Sequence, residues 1–172
     1  MSNVLIGIIG VILFIGLALA GALFLGPRFQ ESANNSKASA VVQAVSQISN
    51  ATTMKTLQEG SPVMAGTTPA DLVGGGYLKS EPGNPTGAGS INIFGSLGEG
   101  AAAKVKAGMV VLSLVGNAES VCNAIAKQTG SGSYVVVSDA GQFPSGQTGC
   151  FKTGSTTVFS LQANQFYAFS RI

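Results

Sequence analysis

The chain has 172 residues, a length that suits one domain of ordinary size plus an appendage. Hydrophobic residues make up 45% of it and charged residues only 9%, against roughly 25% in a soluble domain, so its polarity comes from Ser, Thr, Asn, Gln and Gly. The net charge of +2 is spread singly from Arg28 to Arg171 with no basic cluster among aromatics, and nucleic-acid binding is unsupported.

Val4 to Leu25 is a run of 22 uncharged residues, about 33 Å as a helix and long enough to cross a bilayer. A core helix of a soluble domain would show a polar stripe, and this one shows none. Three readings compete for it. A secretory signal peptide wants a basic start, which Met1-Ser2-Asn3 does not supply, although Ala18-Leu19-Ala20 mimics a cleavage site. A plain membrane anchor accounts for the length. Packing among copies accounts for the composition too, because Gly7, Gly10, Gly16 and Gly21 with Ala18, Ala20 and Ala22 let apolar helices approach closely. The bland counterpart is that glycine is commoner in membrane helices generally.

After Gly26-Pro27 a helical spacing resumes. Val41, Val45, Ile48, Ala51 or Thr52, and Met54 to Leu57 recur three and four apart, with Ser39, Gln43, Ser46, Gln47 and Ser49 on the other side. The expectation is one long helix, apolar over 1–27 and amphipathic over 28–59, closed by Gly60 as a C-cap. Pro27 removes one hydrogen bond and permits a bend without ending the helix.

Ser61 to Pro85 reads as a structured loop with one helical turn at Pro69 to Val73. Strands are expected at Ser90–Phe94, within Lys104–Gly116, and at Ser133–Asp139, Thr156–Gln162 and Gln165–Arg171, from their β-branched and aromatic content. Asn117–Gly130 reads as a helix capped by Asn117, with Glu119 in its first turn and Val121, Cys122, Ile125 and Ala126 inward. Ala140–Ser155 reads as a turn-rich loop. The fold class is therefore α+β: an antiparallel sheet in a globular head over 60–172, packed on the C-terminal half of the long helix.

Two cysteines in a chain that reads as exported favour a Cys122–Cys150 disulfide, with two buried free thiols as the alternative. In the chain-entropy account such a bridge contributes about 3.5 kcal/mol.

Signs of catalysis are scarce. There is no histidine, which removes the commonest general base and the commonest zinc ligand. The seven carboxylates are scattered, and the cysteines lie too far apart for a redox dithiol turn. Gly98–Ala103 fits a loose G-x-G-x-x-A without a βαβ setting, and Gly74-Gly75-Gly76 lacks a following lysine and hydroxyl. Asn34-Asn35-Ser36 and Asn50-Ala51-Thr52 match a glycosylation sequon that is frequent by chance. No catalytic, cofactor-binding or metal-ligating residue is expected, and the chain reads as a non-enzyme.

The order of these parts resembles a type IV pilin. "PRFQESANNSKASAVVQ" (Pro27–Gln43) is similar to the transition of the long pilin helix, and "LVGGGYLKSEPGNP" (Leu72–Pro85) to the segment before the pilin sheet. "NAESVCNAIAKQTG" resembles the cysteine-bearing helix of the type IVb subclass, whose second cysteine closes a D-region, here 122–150. The resemblance implies a leader cut by a prepilin peptidase, an inner-membrane pool and extrusion by an assembly machinery. The product is a helical homopolymer at the cell surface, serving adhesion, aggregation or conjugation. It implies a filament core of Val4, Leu5, Ile8, Ile9 and Ile12, then Phe14, Ile15, Leu19 and Leu23, with Gly16, Gly21, Gly26 and Pro27 as points where the helix yields. The other reading is a membrane-anchored monomer: a minor pilin, a pseudopilin or an extracytoplasmic binding module. One departure stands out. Most bacterial pilins carry a glutamate as the fifth mature residue, whereas the fifth residue here is Leu5 and no ionisable side chain precedes Arg28.

Overall fold

A computed structural model describes residues 2–63, 66–95, 108–138, 142–157 and 161–172. The chain divides into two compact units, Met1–Asn34 and Asn35–Ile172. Helix α1 covers Ser2–Glu59 and stays helical across Gly26 and Pro27. It stops where Gly60 takes a left-handed φ of +65° and donates its N–H to the Thr56 carbonyl at 3.0 Å, a glycine C-cap as the sequence predicts.

Within the second unit, α1 buries Ala38, Val41, Val45, Ile48 and Thr52, one stripe at helical spacing. The buried Thr52 hydroxyl returns a bond to the Ile48 carbonyl at 2.7 Å, so no polar group is stranded there. The stripe ends at Thr52. Met54 and Leu57, expected to continue the apolar face, are exposed, and the last turns are held instead by polar contacts. Lys55 bonds Glu59 at 2.6 Å and Tyr77 donates to the same carboxylate at 3.2 Å.

Tyr77 lies just past α2, Pro69–Gly74, a short helix opened by a reciprocal box. The Asp71 N–H reaches the Thr68 hydroxyl at 3.3 Å, and the Thr68 N–H reaches the Asp71 carboxylate at 2.7 Å. Leu72 fixes this helix by entering the core.

The sheet holds β1 (Ile91–Phe94), β2 (Met109–Ser113), β3 (Val135–Val137), β4 (Thr148–Thr153) and β5 (Phe166–Arg171) in the order β1-β2-β5-β4-β3. Helix α3, Ala118–Gln128, joins β2 to β3. The expected antiparallel sheet is corrected to a mixed one: β3 and β4 run parallel, Val135 opposite Phe151, while the other three pairs are antiparallel. The cause is the connection. β4 starts at the end of the sheet where β3 began, whereas a two-residue hairpin would have reversed the chain.

β4 itself falls inside the stretch expected to be a loop. Its glycine is a packing requirement, since a Cβ on Gly149 would stand 3.0 Å from the Phe169 ring. The strand expected at Thr156–Gln162 is not seen over 156–157, and Val158–Ser160 lie outside the described residues. Gly98–Ala103 lies outside them too.

All five β2 residues are buried, so this strand is covered on both faces. On one face Val110, Leu112 and Ala168 meet α1 and α3; on the other Met109, Val111, Phe151, Tyr167 and Phe169 form a second, aromatic core closed by Leu161. Polar ties join the layers. Ser49 donates to the Arg171 carbonyl at 2.7 Å and Gln128 to the Asn35 carbonyl at 3.2 Å.

Candidate functional site

The first unit presents its apolar side chains to the outside. Val4, Leu5, Ile8, Ile9, Ile12, Phe14, Ile15, Leu19 and Leu23 are all at least half exposed, from 50% at Ile9 to 76% at Leu23. Ile6, Val11, Leu13 and Leu17 are exposed alike, so the greasy surface runs round the helix and extends beyond the nine positions read from the sequence. A Cβ added at Gly7, Gly10, Gly16, Gly21 or Gly26 would touch nothing in the chain. Their smallness therefore answers no contact within the chain. The backbone at Gly16, Gly21, Gly26 and Pro27 is helical in this single chain; the expected yielding concerns copies packed together.

Soluble monomers rarely expose an apolar patch of more than a few hundred Å². Each Å² left in water costs about 25 cal/mol, so a helix of this kind leaves water whenever a membrane or a partner is offered. It is long and apolar enough to cross a membrane.

Cys122 on α3 and Cys150 on β4 are bonded, with Cα atoms 5.5 Å apart and both side chains buried. The bridge ties the helix layer to the sheet. Asn117 occupies the N-cap position of α3, but its side chain makes no capping bond. The expected cap fails because φ −74° and ψ 47° lie outside the extended region from which a cap side chain reaches back. The helix start is instead marked by Glu119, whose carboxylate accepts from the Tyr134 hydroxyl at 3.1 Å. That bond, ahead of burial, pushes the Tyr134 phenol up.

The charged groups of the head are few and local. Glu59 is held below its usual range chiefly by the bond from Lys55, and Asp71 chiefly by the Thr68 backbone N–H. Among the described residues no group of three metal-ligating side chains converges.

Two clefts open at the end of the sheet where β5 begins. One, of about 540 Å³, lies beside the start of α3 between Asn117, Glu119, Asn164 and Phe166. The other, of about 420 Å³, is lined by Asn92 of β1, Ser113 of β2, Tyr167 of β5 and the flanking Leu161, Gln162 and Gln165, and no sequence pattern pointed to it because its residues come from separate segments.

Comparison with protein-family models, with curated proteins and with solved structures found no match. What remains is the chain's own residues: in the first unit an outward-facing apolar helix with no charge before Arg28, and in the second a disulfide-bonded α+β head.

Proposed function

We propose that this protein is the structural subunit of a helical surface filament, a type IV pilin of the IVb kind. Copies hold one another through the apolar helix and display the head. The observation that carries the reading is the exposed helix surface from Val4 to Leu23, apolar side chains round the helix with no charge before Arg28, in a chain whose head buries its own core. Such a helix has two places to go, lipid and other copies of itself.

Lipid is as apolar as a filament core, so transfer from membrane to filament gains little from the hydrophobic effect. Extraction then needs outside work from an assembly machinery. The small residues along the helix let neighbouring copies close on one another by van der Waals contact. The stretch from Val4 to Leu25 holds no ionisable side chain, so packing of Val4, Ile8, Ile12 and their neighbours is what holds the copies together.

Electron microscopy of material sheared from the cell surface tests this. Filaments built of this protein are expected, and Ile12→Lys is expected to abolish them while leaving the melting of the head unchanged. Protein that stays wholly with the membrane fraction as single copies would instead establish the anchored monomer.

A further inference from the structure

The face of the sheet turned away from α1 and α3 carries the cleft of about 420 Å³. At its floor stands Tyr167, only 3% exposed, its ring stacked on Phe151 with centroids 5.6 Å apart. The phenol oxygen accepts from the Gln162 N–H at 2.9 Å, and among the described residues no acceptor takes the phenol's own proton. Ser113, the register partner of Tyr167, is 8% exposed and donates to the Ser90 carbonyl at 3.2 Å, which leaves its hydroxyl oxygen open as an acceptor. A rigid donor and a rigid acceptor thus sit side by side on two paired strands.

Around them the rim is made of the carboxamides of Asn92, Gln162 and Gln165, and Leu161 and Val115 supply apolar wall. Among the described residues lining the cleft none is charged at neutral pH. That restricts the ligand: an ion entering here would lose its hydration with no opposite charge to offset the loss. A carboxamide offers donors and an acceptor together, and a hydroxyl does the same, so the complementary molecule is one dense in hydroxyls. The volume lies within the range of small-molecule sites.

We propose that this cleft binds a neutral saccharide ring. The Tyr167 phenol donates to a ring oxygen or hydroxyl, the three carboxamides bond hydroxyls from the rim, and Leu161 and Val115 cover the C–H face. The proposal is independent of how copies assemble.

The test is an NMR titration of the full-length, nitrogen-15-labelled chain in phosphocholine micelles, whose headgroup carries no sugar. The probes are glucose, galactose, N-acetylglucosamine and, as a charged control, glucuronate. At least one neutral sugar is expected to give saturable shifts at the side-chain amides of Asn92, Gln162 and Gln165. Gln165→Ala and Asn92→Ala, on partly exposed side chains, are expected to weaken that binding several-fold with the head still folded, and Tyr167→Phe to abolish it. Shifts that stay linear to the solubility limit for every neutral sugar overturn the proposal. So do saturable shifts confined to Asn117 and Asn164, shifts indifferent to Gln165→Ala and Asn92→Ala, or glucuronate binding as tightly as the neutral sugars.

Discussion

Ile48 is fully buried between α1 and the sheet, and its neighbours on the stripe, Val45 and Thr52, are buried with it. Truncating it to alanine removes apolar contact and leaves a cavity, so Ile48→Ala is expected to cost the head about 2–5 kcal/mol in chemical denaturation. Leu57→Ala, on an exposed site, should leave the midpoint unchanged. Gly149→Ala makes the opposite error, since the new methyl would meet the Phe169 ring. Its expected cost is about 1–3 kcal/mol, read from the same melts. At this scale spacing was a good guide to what is buried: Val121, Cys122, Ile125 and Ala126 all face inward as their positions on α3 predict. It failed where a residue's role depends on backbone angles or on where the covering layer ends, as at Asn117 and at Met54 and Leu57. Neither of these leaves a trace in residue type.

The helices and four of the five strands were legible in the chain because each carries its own pattern. α3 has an apolar face and α2 a proline after a cap, while β1, β2, β3 and β5 are rich in β-branched or aromatic residues. β4 was not. Gly149 and its surroundings of Ser, Gly, Gln and Pro imitate a loop, and the strand exists because β5 on one side and β3 on the other supply partners. The parallel pairing of β3 with β4 is likewise a property of the connection, invisible in either strand alone. The disulfide joins this concealed strand to the well-marked helix. Removing it with Cys122→Ala and Cys150→Ala is expected to lower stability by about 3.5 kcal/mol, plus any further loss from the buried volume given up. Thermal melts of the oxidised protein and the double variant measure the difference. The polar cleft lay beyond sequence reasoning for the reason β4 did: its walls meet only when distant strands are neighbours.

For the molecule as a whole the most legible feature was the charge-free N-terminal run, and the absence of histidine across the chain sets its response to acid and base. Stability is expected to be flat from about pH 5 to 9, where no ordinary side chain present titrates. Asp71 and Glu59 sit below their ordinary values of 3.8 and 4.5, so the folded form binds fewer protons there. The stability they add is present above those values and is lost as acid is added through the folded ones. Lys55 is raised from 10.5 and Tyr77, Tyr134 and Tyr167 from 10.0. Here the folded form holds its protons more tightly, and the contribution is present below pH 10 and disappears in stronger alkali. Circular-dichroism melts over that range check both limits; a steep change between pH 6 and 8 would contradict them. The Cys122–Cys150 bond also has a mechanical meaning. Tension applied along the backbone passes from one sulfur to the other, so the segment between the two cysteines, which stand 28 positions apart in sequence, carries no load, β3 included. Stretched by an optical trap, the reduced head should pay out about 100 Å more contour than the oxidised one. Under any such pull the oxidised head keeps that much of itself unextended.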